Sequence, residues 1–349
     1  MSSGATSVTT GELNGWQTLS LANDLIEIVA LPGKGANIYS IIDRSSGIDV
    51  VFKTPWGLAP PLSEPREGSD GNAFLENYEG GWQALLPNTN DPCTVDGIDY
   101  PFHGEVAAVP WSASFGEDRA QRSAFIEMSV DCRLVPLRLV RTLRCRDGKA
   151  ELVLDEQVSN LGDHPVTFVW GHHLVLGAPL VGAGAQLSLS GRTLVTPGEV
   201  WEDTARLEPG QRSAWPLARL RAGGQVDLSQ IPGPEAGSHD DVYITDLVPG
   251  PVRLWNPTLD LGFELDFDVA VYKWLISWQP YGGANTLPLA GSYGLGLEPW
   301  VAGGNLEYAI ETGQALTLEG GASISTQLTA SLLHSDRPQP PAAGDGQQR

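Results

Sequence analysis

Apolar and polar residues alternate along much of the chain, which is the pattern of half-buried antiparallel strands. In residues 263–268, Phe and Leu alternate with Glu and Asp, and residues 323–332 show a similar alternation with Ser, Thr and Gln. Turn pairs such as Asp147-Gly148 and Pro249-Gly250 separate these runs. No segment predicts an amphipathic helix longer than about two turns. The pattern therefore predicts an all-β fold, a large antiparallel β-sandwich.

The ends of the chain differ in composition from the rest. Residues 1–10 are small and polar, and residues 335–349 are rich in Pro, Gly and Gln. Such segments bury too little apolar surface to offset the entropy of ordering, so both are predicted to be disordered. Residues 57–73 contain several Pro and Gly residues and predict a long surface loop. A single domain is expected from about residue 11 to 334.

Composition supports a large core and no membrane span. Apolar residues make up 41% of the 349 residues, whereas the longest apolar runs, such as residues 174–180, fall far short of the roughly 20 that a membrane helix needs. The N-terminus lacks the features of a signal peptide. Three cysteines fit neither a disulfide framework nor a zinc site. We therefore expect a cytoplasmic protein.

The chain is strongly acidic. Its 21 Lys and Arg residues stand against 42 Asp and Glu, for a net charge of −21. Such a surface repels nucleic-acid phosphates and anionic membranes, so neither is an expected partner. No Lys or Arg cluster accompanies the candidate site residues. The composition favours a neutral small-molecule ligand and leaves the oligomeric state open.

A few histidines and one glutamate are the candidates for chemistry. His103 lies in a Pro-Phe-His-Gly-Glu segment, and His172 and His173 follow an apolar run. Glu298 ends a Gly-Leu-Gly-Leu run. A lone carboxylate buried there would be costly unless it were paired or functional, which makes it a candidate acid or base. The alternative interpretation is an exposed Glu at a strand end.

Tryptophans accompany these motifs. Sugars pack their C–H faces on indole rings and hydrogen-bond to polar neighbours such as Gln83 and Gln279. The alternative is that the indoles simply fill the sandwich core. The tryptophans within or beside the motifs are Trp82, Trp170, Trp274, Trp278 and Trp300.

The order of the motifs resembles that of the aldose 1-epimerase (galactose mutarotase-like) family over nearly the whole chain. Residues 31–38 resemble that family's first hairpin, and His103-Gly104 resembles its first histidine motif. His173, followed three residues later by Leu176, resembles the second, and Leu297-Glu298 resembles the catalytic glutamate. The family commonly has an aromatic residue at the position of Leu176, and its usual Asn-Arg pair is missing here. The chain therefore resembles a divergent branch.

This resemblance implies a β-supersandwich and an isomerase that interconverts the α and β anomers of a neutral monosaccharide. Glu298 would be the base, His173 the acid, and His103 a hydrogen-bonding residue that steadies the developing charge. His172 could replace His173. No metal or organic cofactor is implied. The residues expected to bind the sugar are Trp82, Gln83, His172, Asp241, Trp278 and Gln279.

Two other functions remain open. A carbohydrate-binding protein without turnover would need the tryptophans but not the acid–base pair. A metal-dependent enzyme could use His103, His172, His173 and Glu298 as ligands. Adjacent residues on a strand point to opposite faces, which disfavours the two neighbouring histidines on one ion. No HExxH motif is present.

Overall fold

The protein is almost entirely β-structure in a computed structural model that describes residues 5–335. The strands are β1 Ser7–Leu13, β2 Trp16–Ala22, β3 Ile26–Leu31, β4 Asn37–Asp43, β5 Ile48–Asp49, β6 Trp82–Leu85, β7 Cys93–Val95, β8 Ile98–Tyr100, β9 Ser112–Asp118, β10 Ser123–Asp131, β11 Leu137–Arg146, β12 Glu151–Asn160, β13 Val166–Phe168, β14 Gly171–Gly177, β15 Gln186–Ser188, β16 Thr193–Val195, β17 Arg212–Ala214, β18 Leu217–Arg219, β19 Gln225–Asp227, β20 Ser238–Thr245, β21 Val252–Asn256, β22 Leu261–Phe267, β23 Trp274–Tyr281, β24 Gly294–Gly296, β25 Glu298–Trp300, β26 Leu316–Leu318 and β27 Ser323–Leu333. The short α-helices are α1 Ala73–Asn77 and α2 Leu306–Glu311, and Val106–Ala108 and Pro234–Ala236 form 3₁₀ turns.

Two large antiparallel sheets organise these strands, as the alternating pattern predicts. The larger has the order β1-β2-β3-β4-β6-β14-β25-β23-β20-β16-β17, with β5 paired to β4 and β24 to β14. The smaller has the order β15-β21-β22-β27-β12-β11-β10-β9. Three two-stranded sheets, β13-β26, β18-β19 and β7-β8, accompany them. Within residues 5–335, no helix is long and apolar enough to cross a membrane.

The core lies between the two large sheets. Fully buried apolar residues reach it from both, for example Ile38 and Leu174 from the larger sheet and Leu139 and Leu154 from the smaller. Burying each such side chain contributes roughly 1.5–3 kcal/mol. Because successive side chains on a strand point to opposite faces, the strands of the larger sheet also present residues on the face away from this core.

The prediction that residues 1–10 are disordered is wrong for the second half of this segment. Ser7–Leu13 forms β1 and pairs along its whole length with β2, from Ser7 opposite Ala22 to Leu13 opposite Trp16. Small polar residues carry little pattern of their own, but the neighbouring strand supplies partners for their backbone groups. Most of the predicted tail, residues 336–349, lies outside the described residues.

Candidate functional site

A cavity of about 680 Å³ opens on the face of the larger sheet that points away from the core. Among the described residues that line it there is no Lys or Arg. Its ionisable lining consists of the carboxylates Asp91, Glu199, Asp241 and Glu298 and the imidazoles His103 and His173. Its aromatic lining consists of Phe74, Tyr78, Phe102, Trp201, Tyr243, Trp274, Trp278, Trp300 and Tyr308.

Strand register decides which side chains reach this cavity. His173 lies opposite Gln83, Asp241 opposite Trp278, and Ile276 opposite Glu298. Directly opposed residues share a face of the sheet. The register therefore brings residues from β14, β20, β23 and β25 onto one surface, although they are far apart in the chain.

His173 and Glu298 meet in the lining of the cavity. His173 Nε2 lies 3.9 Å from Glu298 Oε1, and both side chains are almost fully buried. His173 Nδ1 has no hydrogen-bond partner. The two groups are thus close enough to act on neighbouring atoms of one ligand.

Gly296 makes room for the glutamate. A Cβ at this position would lie 2.6 Å from Glu298 Oε1 and 2.9 Å from the Cβ of Trp278. Any larger residue would displace the carboxylate or the indole. The glycine before Glu298 in the Gly-Leu run is therefore a packing requirement of the site.

His103 is held by its backbone and by Asn90. Its φ is +59°, and Gly104 follows with φ +73° where a Cβ would meet Leu86 O at 2.3 Å. The Nδ1 atom of His103 accepts a hydrogen bond from the Asn90 backbone N–H at 3.0 Å. In the neutral imidazole the hydrogen is then on Nε2, so His103 can act as a donor. Its ring centroid lies 5.3 Å from that of His173.

Burial keeps these groups uncharged. It raises the pKa of Glu298 well above its ordinary value, and the nearby charge of Asp241 raises it further. Burial also lowers the pKa of His173 to about 3 and lowers that of His103 well below its ordinary value. A protonated glutamate beside a neutral imidazole is the resting arrangement that these shifts favour.

Asp241 is a second carboxylate with an altered pKa. Burial, together with the charges of Asp240, Asp91 and Glu202, raises its pKa to about 7. Its carboxylate makes no hydrogen bond to another described residue. Its charge is therefore repelled by the neighbouring carboxylates.

We expect Asp241→Asn to stabilise the protein at high pH. A carboxyl with a raised folded-state pKa favours folding below its unfolded pKa of about 3.8 and loses that contribution as pH rises towards about 7. Asparagine does not titrate. Melting temperatures should differ least below about pH 4 and diverge by pH 8, by roughly 1–2 °C for each kcal/mol of repulsion removed from a chain of this length. A constant difference across this range would contradict the assignment.

Trp278 is anchored from behind the cavity wall. Its Nε1–H donates to His239 Nε2 at 2.5 Å, while His239 Nδ1 bonds to Glu202 Oε2. Glu202 Oε1 accepts from the backbone N–H groups of Asn285 and Thr286 at 2.9 and 2.7 Å. Because Nε2 of His239 accepts, Nδ1 carries its hydrogen. This chain of hydrogen bonds fixes the indole orientation.

Four of the residues expected to bind a sugar do not line the cavity. Trp82 and His172 point into the core, where Trp82 Nε1 donates to His172 Nδ1 at 3.0 Å. Gln279 lies opposite Asp240 on the other face of its strand pair. Gln83 shares the face of His173, but its amide donates to Gly80 O at 2.7 Å. Strand alternation explains His172 and Gln279, which neighbour the cavity residues His173 and Trp278 in sequence. Trp82 lies opposite Leu174 on the core face of its strand.

Several residues that line the cavity are not apparent from the sequence pattern. Phe74 lies in α1 and Tyr78 directly follows it, whereas Glu199 and Trp201 lie in the loop after β16. Nothing in their local sequence distinguishes them from ordinary surface or core residues. For the metal alternative, no group of three or more His, Cys, Asp or Glu within residues 5–335 could hold a metal ion.

Sequence and structure comparisons place the chain among related proteins. The model of a family described as "Domain of unknown function (DUF4432)" matches residues 14–332. No curated protein sequence matches the chain significantly.

Solved structures share its fold. A Klebsiella pneumoniae protein provisionally assigned as an aldose 1-epimerase has a TM-score of 0.72 and 20% identity, over 93% of this chain and 82% of that one. A galactose mutarotase-like protein from Clostridium acetobutylicum has a TM-score of 0.63 and 14% identity, over 95% and 99%. A protein from Escherichia coli K12 with the same provisional aldose 1-epimerase assignment has a TM-score of 0.59 and 13% identity, over 94% and 99%. The resemblance seen in the motifs is confirmed at the level of the fold.

Proposed function

The chain belongs to the DUF4432 family, and we propose that this member is an aldose 1-epimerase-like isomerase that interconverts the α and β anomers of a neutral monosaccharide. The observation that carries the proposal is the meeting of Glu298 and His173, 3.9 Å apart in a cavity lined by aromatic rings. Anomer exchange needs an acid and a base on neighbouring oxygens of one sugar, and this pair supplies both.

In the ring-opening step, Glu298 as carboxylate takes the proton of the anomeric hydroxyl. The C1–O5 bond breaks as C1=O1 forms, and His173 as imidazolium gives its proton to O5. After rotation about C1–C2, O5 attacks the other face of the carbonyl. His173 then takes the proton from O5 while Glu298 returns one to O1. Protons and charges balance over the cycle.

The pair holds one acidic proton throughout this cycle. When the proton is on His173, Glu298 is a carboxylate and the pair can open the ring. When the proton is on Glu298, His173 is neutral and the pair can close the ring. Burial favours the uncharged arrangement, in which the proton is on Glu298. Sugar hydroxyls that hydrogen-bond to Glu298 would stabilise the charged arrangement. His103, with its hydrogen on Nε2, would donate to a sugar oxygen beside them.

The lining supports a neutral sugar. Described lining residues include four carboxylates and no Lys or Arg, so a phosphate group would meet repulsion without a compensating cation. Trp278 and Trp300 offer indole surfaces for the C–H faces of a pyranose. Asp241 offers an acceptor for sugar hydroxyls, and a hydroxyl donated to it would lower the cost of its charge.

Two-dimensional NMR exchange spectroscopy tests the proposal. We expect the protein to accelerate exchange between the anomers of glucose or galactose well beyond the rate in buffer, and to accelerate that of glucose 6-phosphate much less. Saturable sugar binding without faster exchange would favour the non-catalytic binding protein. Equal acceleration for the phosphorylated sugar would contradict the substrate class.

A further inference from the structure

Tyr78 has an unusual hydroxyl for a residue of the cavity wall. Its side chain lines the cavity and is 3% exposed, yet the hydroxyl oxygen has no hydrogen-bond partner. A buried hydroxyl normally finds a partner, because burial without one forfeits its hydrogen bonds to water. The residue that carries this unused donor lines the proposed sugar site.

The backbone and ring of Tyr78 are held on several sides. It follows the last residue of α1, whose first turn is capped by the Asn72 side chain. Its carbonyl oxygen accepts hydrogen bonds from Trp56 Nε1 at 2.9 Å and from Arg66 Nε at 3.3 Å. Its ring stacks on Phe74 with centroids 5.2 Å apart. The hydroxyl therefore has little freedom to move to another partner in the protein.

The ring of Tyr78 also contacts the acid–base pair. Its centroid lies 5.1 Å from that of His173, with the planes at 76°. The ring that carries the unpaired buried O–H thus packs against the imidazole that would protonate the ring oxygen. No protein acceptor in the described structure uses this O–H.

We infer that the Tyr78 hydroxyl is a substrate-binding group that donates a hydrogen bond to an oxygen of the sugar next to the Glu298–His173 pair. The inference rests on the proposed function and adds a residue to it. A sugar oxygen would complete the hydrogen bonding of the hydroxyl, so the interaction would exist only in the complex.

The hydroxyl acts as a donor and not as a base. Burial raises the pKa of Tyr78 well above its ordinary value, and the charges of Glu298 and Glu79 raise it further. The O–H therefore stays protonated across the working pH range. With His103 Nε2–H, it would provide a second donor in the site that holds Glu298.

Tyr78→Phe isolates this hydroxyl, because phenylalanine keeps the ring and its packing. We expect kcat/KM for anomer exchange to fall roughly tenfold, as for the loss of one hydrogen bond to a ligand. The melting temperature should stay the same or rise, because the deleted hydroxyl has no partner in the free protein. A merely structural hydroxyl would give the opposite pair of results.

Tyr293→Phe is the matched control. The Tyr293 hydroxyl donates to Pro232 O at 2.8 Å and does not line the cavity. This variant should lose thermal stability and keep the wild-type kcat/KM. Tyr78→Phe with wild-type kcat/KM, or with a loss of stability like that of the control, would overturn the inference.

Equilibrium sugar binding separates this inference from the proposed function. If the wild-type protein does not exchange anomers, the isomerase proposal fails, and calorimetric titration with galactose then tests Tyr78 alone. A roughly tenfold weaker Kd in Tyr78→Phe would support the hydrogen bond. An unchanged Kd, or no sugar binding by the wild-type protein, would overturn it.

Discussion

Replacing Glu298 with glutamine is expected to lower the rate of anomer exchange by roughly 10²–10⁴-fold, the usual contribution of a general acid or base. Glutamine keeps the size of the side chain and can still hydrogen-bond to a sugar, but it cannot take or return the proton of the anomeric hydroxyl. The effect should therefore fall on kcat, with sugar binding largely retained. NMR exchange spectroscopy measures the rate of anomer exchange, and calorimetric titration measures sugar binding.

The same substitution should not unfold the protein. Because burial raises the folded-state pKa of Glu298, the group favours folding below its ordinary pKa and loses that contribution as pH rises through the raised value. Glu298→Gln should therefore melt at or above the wild-type temperature at pH 8 and close to it near pH 4. A large loss of stability would show that the activity loss is a folding effect.

Glu127→Gln provides a control for loss of a carboxylate. Glu127 is exposed on β10 of the smaller sheet and does not line the cavity. The Glu127→Gln variant should keep both the wild-type activity and the wild-type stability. A Glu298→Gln variant that exchanges anomers at the wild-type rate would exclude Glu298 as the base. It would favour the alternative that the protein binds carbohydrate without turnover.

The second large effect is a loss of stability, expected when Arg141 in the core is replaced with methionine. Arg141 Nε donates to Glu156 Oε1 at 2.6 Å, and neither side chain is exposed. Glu156 Oε2 lies 3.4 Å from His172 Nε2, which also contacts the Tyr272 hydroxyl at 2.9 Å. Removing the guanidinium leaves a buried carboxylate without its compensating charge. Such changes cost about 3–5 kcal/mol in the free energy of unfolding, measurable by denaturant titration.

The double variant Arg141→Met/Glu156→Leu tests whether the uncompensated charge of Glu156 causes the loss of stability. Replacing both partners with apolar residues removes the uncompensated charge, so most of the lost stability should return. A double variant as unstable as Arg141→Met would mean that lost packing, not charge, dominates. A single variant as stable as the wild type would show that Glu156 is held neutral by its surroundings.

The local pattern of the sequence determined the fold class and the candidates for chemistry. Period-two alternation, as in residues 323–332, reflects the geometry of a strand and needs no knowledge of its partners. The same geometry predicts that His172 and His173 point to opposite faces. In the structure His172 joins the core network and His173 lines the cavity.

Only the tertiary structure decided which residues share the cavity. His172 and Gln279 neighbour the cavity residues His173 and Trp278 in the chain but point to the opposite faces of their strands, so nearness in sequence was misleading. The order of strands in the larger sheet and their register bring Asp241 opposite Trp278 and Ile276 opposite Glu298.

Tyr78 is another residue whose place in the cavity could not be predicted from the sequence. Its importance comes from a hydroxyl that finds no partner after folding, a property of the packed environment that no local pattern encodes. Its position depends on α1 lying against the face that holds His173, 95 residues further along the chain. Contacts of this kind depend on long-range pairing of strands, whereas hydrophobic alternation reports only which face of a strand is buried.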